Sequence, residues 1–485
     1  MCPLSSWTVS KRSLSTTMAS PSGRIVRPQP PLGATAARII RHPVRHLTVF
    51  FAIWKALLFL VVVACPGPGY DTSTSLLPTD AGRVAALTPD KWPPSVLLRF
   101  IRWDSIYFVH IAENGYVFEQ EWAFGYGYTL YTITRVVRLF GGSVNTMTVA
   151  FVGVMVSHIA HYLSVIALYR LSFNIFGGDT PVKKLMCFLS AALHIISPAG
   201  AFLSAPYGEP VFSFLNMFGL YVYSSSLFDN CHGKTVARDI KLLASAILFA
   251  VATSVRSNGI LSGFLFACDA CFQVWKIGTR GISLDGCLRL TIIIFGGCIV
   301  GLGLAFPQFL AYNAYCAPGI ASRPWCAWIL PSIYSWVQGQ YWNVGFLRYW
   351  TVSNIPLFLL AIPMLAVLCR SSLWGLKLSF KTGVGFSTIV EPTQTVADSM
   401  LMRLAIPQAL LAVMALTSYH VQIINRISSG YPLWYWYLAS LALDHFGQSE
   451  HKTRRRSRKF AVAVQAMVVY GLIQGVLFGS FLPPA

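Results

Sequence analysis

Long apolar runs alternate with short polar interruptions over most of this chain. Candidate spans lie at 47–65, 148–170, 185–204, 208–228, 242–257, 259–275, 288–311, 353–369, 401–419, 432–445 and 461–481. Apolar runs of about 18 or more residues are long enough to cross a bilayer as helices. The pattern predicts an all-α polytopic membrane protein with about 9–11 transmembrane helices. The first run, LTVFFAIWKALLFLVVVAC, follows a long basic segment and ends at no small-residue cleavage site, so it reads as a retained anchor. Segment 126–141 is apolar but carries Arg135 and Arg138, which makes it interfacial or re-entrant.

Composition agrees with the pattern. Charged residues make up 11% of the 485, against about 25% in ordinary soluble domains. The net charge of +20 is informative only through its distribution. Residues 1–46 carry seven Lys/Arg and no acid, and HKTRRRSRK (451–459) carries six more. Such flanks belong on the cytosolic side of a membrane, and no aromatic–basic module accompanies them, so nucleic acid is not an expected partner. Residues 1–45, rich in Ser, Pro and Arg, read as a disordered cytosolic segment. Residues 46–485 then form one membrane domain without internal repeats.

A cytosolic N-terminus places loop 66–125 on the opposite face. The basic linkers at Lys183/Lys184, Lys234/Arg238, Lys276/Arg280, Arg370/Lys377/Lys381 and 451–459 return to the cytosol. Two substantial loops, 66–125 and 312–352, remain on the far side, and residues 66–122 hold seven of the 17 acids. Cys316 and Cys326 fall in the second loop, where an oxidising compartment would favour a disulfide. Cys268 and Cys271 sit in an apolar run with no second ligand pair, so no metal site is expected there.

Four polar interruptions could carry chemistry. In RWDSIYFVHIAENGY (102–116), a helical projection puts Tyr107, His110, Glu113 and Asn114 on one side, with Phe108, Ile111 and Ala112 on the other. Gly115 would end the helix. Asp104 is either the N-cap of a surface helix or a carboxylate available as a general base, and the two roles are compatible. In SAPYGEPVF (204–212), Glu209 is an acid between two apolar runs, functional or simply a loop acid in water. In TSVRSNGI (253–260), Arg256 could grip a phosphate beside Asn258, or snorkel from a helix end. The block PWCAWILPSIYSWVQGQYWNVGFLRYW (324–350) is crowded with rings, and Arg348 is its only ionic residue. It forms either an interfacial belt or a sugar platform. No Walker A motif, DxD pair or dinucleotide fingerprint is present.

Together with HVQIINR (420–426), these blocks give the chain a resemblance to the GPI mannosyltransferase II family, in family order from about residue 45 onward. The resemblance implies a GT-C-type glycosyltransferase of the endoplasmic reticulum with a lumenal site. The implied donor is dolichyl-phosphate mannose, the bond α-1,6, and the acceptor a mannosyl-glucosaminyl-acyl-phosphatidylinositol. Trp103 and Asp104 match the first-loop motif, with Asp104 in the base position. AFGYGYTL (123–130) stands where the family commonly has a Pro-containing turn, and Gly208 where it commonly has Ser.

In this reading Asp104 is the catalytic base, and Arg256 or Arg348 neutralises the departing phosphate. Tyr341, Trp342 and Asn343 line the sugar or acceptor site. His110, Glu113 and Glu209 orient the acceptor or the base. Inversion from a β-linked donor to an α-linked product needs one base and no covalent intermediate. Neither a metal nor a cofactor is required. The partners are lipid substrates and the bilayer, with a small membrane accessory subunit left open. The rivals are a sister enzyme using another lipid-linked glycan, a lipid transporter or scramblase lined by Asp104, Glu209 and Arg256, and a non-catalytic assembly subunit. A glycosylation acceptor inserted into 312–352 is expected to be modified in a functional protein. An unmodified but functional insertion variant would overturn this topology.

Overall fold

The computed structural model describes residues 34–66, 69–71, 73–76, 96–318, 323–381, 392–443 and 450–482. Among the described residues all regular structure is helical. The helices used below are α1 (Pro43–Ala64), α2 (Asp104–Asn114), α3 (Thr146–Phe176), α4 (Pro181–Ile195), α5 (Gly208–Cys231), α6 (Thr235–Val255), α7 (Gly263–Arg280), α8 (Leu284–Tyr315), α9 (Ile333–Trp342), α10 (Ile355–Lys381), α11 (Pro392–Thr417), α12 (Leu433–Leu443) and α13 (Glu450–Gly479). Eight segments are long and apolar enough to cross a membrane: α1, α3, α5, Ser257–Arg280, α8, Val352–Ser379, Val396–Thr417 and Arg455–Gly479. The protein is thus a multi-pass membrane protein. The disorder expected over 1–45 falls partly outside the described residues, but Ala34–Arg41 within it is helical.

Three expected spans differ from the long helices. The run 432–445 yields only the short α12, and the run 242–257 becomes α6, whose first turns carry Arg238, Asp239 and Lys241. The run 185–204 is not one helix. α4 stops at Ile195, the chain passes through Pro198 and a tight turn at Gly200–Leu203, and α5 starts at Gly208. A 15-residue helix rises only about 22 Å, less than the roughly 30 Å of a hydrocarbon core. The break therefore lies within the bundle, which explains why Glu209, one residue into α5, is fully buried.

Segment 126–141 forms a π-helix, Gly127–Thr134, followed by Arg135–Leu139, and packs against α2 and α6. Its entry at AFGYGYTL depends on glycine. A Cβ at Gly125 would overlap the Val255 carbonyl oxygen, and one at Gly127 would overlap Ser254 Oγ. This close approach brings the first loop onto the end of α6. The two larger loops also pack on each other. Trp325, Ile333 and Val337 are buried with Ala311, against Trp122, Trp336 and Trp342. Glu119 accepts from Trp325 Nε1 (3.0 Å) and Tyr341 Oη (3.2 Å), and Cys316 and Cys326 are joined as a disulfide. Part of the aromatic block thus forms a small core roofing the first loop, while Trp328, Tyr341, Phe346 and Trp350 stay exposed.

Far from these loops, Asp269 on α7 meets Arg403 on α11. The guanidinium donates to Asp269 Oδ1 from Nη2 (2.6 Å) and Nε (3.1 Å), while Tyr223 Oη of α5 donates to Oδ2 (2.7 Å). Charges inside a membrane bundle persist only when paired. Arg403→Met should strand a buried carboxylate and cost about 3–5 kcal/mol. The double variant Arg403→Met/Asp269→Asn should recover much of that loss. Thermal stability in detergent, followed by size-exclusion chromatography, reads both; equal stability of the single variant and the parent would refute the pairing argument.

Candidate active site

The helix predicted over RWDSIYFVHIAENGY is α2, and its faces are those of the projection. Phe108, Val109, Ile111 and Ala112 are buried, and Gly115 ends it at φ 77°. Asp104, however, is not a cap. It is the first helical residue, and its side chain accepts nothing from the helix backbone. Ser105 Oγ instead accepts from the Arg102 amide at 2.6 Å. The turn into α2 puts Trp103 at φ 56°, a left-handed conformation costing a bulky residue about 1–3 kcal/mol. That turn aims Asp104 across the bundle rather than back along its own helix.

What it meets is Arg426, in the short helix Ile424–Ile427. Arg426 Nη2 donates to Asp104 Oδ2 at 2.6 Å. The same guanidinium lies 3.4 Å, through Nε, from Glu209 Oε1, which is also 2.7 Å from Arg256 Nη1. The result is an alternating chain: Asp104, Arg426, Glu209, Arg256. Both contacts to Glu209 are electrostatic rather than aligned hydrogen bonds. The planar face of Arg426 rests over the Phe202 ring (4.7 Å) and near Tyr207 (5.6 Å), a cation–π seat. Burial lowers the pKa of Arg426, but Asp104 and Glu209 outweigh it and the net shift is upward, so the residue stays charged. Burial, opposed by Asp104 and aided by Arg426, lowers the pKa of His420. Burial, then Asp104 and Glu121, raise that of Tyr107.

Asp104 and both arginines open on a cavity of about 440 Å³. It is walled by α2, by residues 122–126, by Thr253–Asn258, by Gly303–Gln308 of α8, by Tyr334, Gln338 and Trp342 of α9, and by Tyr419–Ile427. Every polar interruption singled out in the sequence reaches this end of the bundle. The cavity has the size of a small-molecule site. It combines a partly exposed carboxylate, fixed guanidinium groups, amide side chains and aromatic walls. These elements can bind a sugar, accept a proton and hold an anionic leaving group.

Among the sequence candidates, Trp103, Asp104, Arg256, Asn258 and Trp342 line the cavity. Glu209 lies behind it, holding both arginines. Asn258 Nδ2 donates to Tyr431 Oη at 3.2 Å, fixing the turn after α6. The others are placed elsewhere. His110 bonds Glu121 (2.5 Å), whose second oxygen accepts from the Val117 and Phe118 amides, which fastens the loop after α2. Glu113 accepts from Thr146 Oγ1 at the start of α3. Tyr341 donates to Glu119, and Asn343 ends α9 in a left-handed conformation. Arg348 is exposed on the aromatic loop and does not line the cavity, leaving Arg256 as the arginine of that pair at the site. Sequence reasoning missed Arg426, His420, Tyr107 and Gln308. Arg426 had a signal: it is the cation in the polar interruption HVQIINR, placed as Arg256 is in its own.

Residues 44–485 match the family described as Mannosyltransferase (PIG-V). The GPI mannosyltransferase 2 of Aspergillus fumigatus is 57% identical over 445 residues, covering 92% of this chain and 94% of that protein. The protein of the same name from Aspergillus oryzae is 56% identical over 447 residues, covering 92% and 96%. That of Yarrowia lipolytica is 30% identical over 445 residues, covering 91% and 100%. Among solved structures, the apo oligosaccharyltransferase of Archaeoglobus fulgidus is similar at a TM-score of 0.44 and 12% identity, over 90% of this chain and 56% of that one. A likeness that distant transfers nothing to the site. The matched sequence spans every segment that walls the cavity, and the chain belongs to the PIG-V mannosyltransferase family.

Proposed function

We propose that this protein transfers the second mannose, in α-1,6 linkage, from dolichyl-phosphate mannose to the mannosyl-glucosaminyl-acyl-phosphatidylinositol intermediate of GPI-anchor synthesis. The setting is the endoplasmic-reticulum membrane with the cavity on the lumenal face, in a GT-C-type arrangement. The observation that carries this reading is the Asp104 carboxylate facing the cavity while held by Arg426. The fungal relatives named GPI mannosyltransferase 2 support the choice of pathway.

In the proposed step the acceptor hydroxyl oxygen attacks the anomeric carbon of mannose. The bond from that carbon to the phosphate oxygen breaks, and dolichyl phosphate departs with the electron pair. The hydroxyl proton passes to Asp104. Arg426 fixes Asp104 in place at the cavity edge. The sugar transition state is oxocarbenium-like, and the attacking hydroxyl loses its proton late. Arg256 and Arg426 offset the charge growing on the leaving phosphate, so the proposal assigns no metal and no cofactor to the step. Trp103 and Trp342 present ring faces to the sugar, and Gln308, Gln338 and Asn258 offer polar groups to its hydroxyls.

Asp104→Asn keeps the size of the side chain and removes its basicity, and should lower kcat by about 100-fold or more at equal protein level. Near-parental mannosyl transfer in microsomes carrying it would rule Asp104 out as the base. Arg426→Lys cannot span two carboxylates with a planar fork and should lower kcat by about 100-fold through misplacement of Asp104. Depletion of the protein should cause the one-mannose GPI intermediate to accumulate. Accumulation of any other lipid-linked glycan would reassign the acceptor.

A further inference from the structure

Lys55 is a lysine nine residues from the loop-bearing end of α1, Ala64, or about 14 Å deep at 1.5 Å per residue. It is 6% exposed and faces the bundle interior. A lysine at this depth is expected to serve a function and to have an identifiable partner. The proposed chemistry uses none of it. Its partners are backbone and hydroxyl rather than acid: Nζ donates to the Leu203 carbonyl at 2.6 Å and to Ser204 Oγ at 2.8 Å. Both belong to the break between α4 and α5.

That break is a physical liability. Interrupting a helix at membrane depth frees carbonyl and amide groups that lipid cannot satisfy. Side chains from distant parts of the sequence repair it, Ser157 of α3 at the Ala205 carbonyl (2.7 Å) among them. Lys55 takes the Leu203 carbonyl. Gln474 of α13 accepts from the Ala201 amide (3.0 Å) and donates to the Pro198 carbonyl (3.0 Å). α1 and α13 pack together, with Trp54 against Gly471. The first and last spans therefore clasp one turn from the same side. Gly200, at φ 42°, lets Gln474 in, since a Cβ there would overlap Gln474 Oε1.

The clasped turn carries Phe202, and the strand of chain leaving it carries Tyr207. Their rings meet at 4.9 Å and form the seat of the Arg426 guanidinium. We infer that Lys55 and Gln474 are positioning residues for the transfer reaction: they hold the Phe202–Tyr207 seat, which sets where Arg426 presents Asp104. This rests on the proposed function above.

The test uses full-length protein purified in detergent, with transfer from dolichyl-phosphate mannose measured per folded molecule by size-exclusion peak area. Lys55→Met should lower kcat about tenfold, with KM for both lipid substrates within about twofold. Gln474→Met should behave alike. Phe202→Leu should share the signature, and Lys55→Met/Phe202→Leu should lose little more than either alone, because both act through one seat. Unchanged kcat per folded molecule, or losses that multiply in the double variant, would overturn the inference. If Lys55→Met does not accumulate, Ser204→Ala removes one of the two Lys55 acceptors and should lower kcat by about two- to threefold, whereas parental kcat there counts against the inference. Absence of transfer by the parental protein would refute the proposed function itself, a result separable from every variant outcome.

Discussion

The structure turns on one guanidinium. Arg426 bonds Asp104, approaches Glu209 and lies on the rings of Phe202 and Tyr207, so it joins three separate parts of the chain at one point. A buried carboxylate such as Glu209 would be costly alone. Flanked by Arg256 and Arg426 it becomes the fixed counter-charge that sets the spacing of both arginines. The cluster balances two acids against two bases, which is the condition for charge to persist at this depth. Only Asp104 retains substantial exposure, 35% of its side chain, and it is the member that faces the cavity.

Close backbone packing makes this geometry possible. Gly125 and Gly127 let the first loop lie directly on the end of α6, where Arg256 begins its turn. Gly303 does the same for α8 against Ala250, placing the α8 wall beside that turn. The aromatic block then closes the top by burying Trp325 and anchoring to Glu119. Bulkier residues at these glycines would separate the walls by more than a hydrogen bond can follow. The cavity is a product of near-contact between helices rather than of any one loop.

Much of this was legible in the sequence. Apolar runs and basic linkers gave the helical membrane character, and the polar interruptions at 102–116, 204–212 and 253–260 are the segments that converge. The faces of α2 followed from 3.6-residue periodicity. Misreadings came where local rules compete with distant partners. Asp104 has the residue type and place of an N-cap, yet Ser105 holds the preceding turn and leaves Asp104 to Arg426. The run 185–204 has a span's hydropathy, but Pro198 and Gly200 break it, and hydropathy averages over such breaks. His110, Glu113, Tyr341 and Asn343 are polar residues in the right loops whose bonds serve loop architecture instead.

By itself the sequence determined what must lie in lipid, which ends carry the polar turns, and which acids and arginines could not be there for solubility. Those properties are local: hydropathy, charge and helical periodicity need only neighbouring residues. Only the tertiary structure decided which of those groups meet. The contact of Asp104 with Arg426 joins residues 322 positions apart, and that of Lys55 with Leu203 joins residues 148 apart. Pairing at such separation depends on how the spans pack, and no local pattern encodes it.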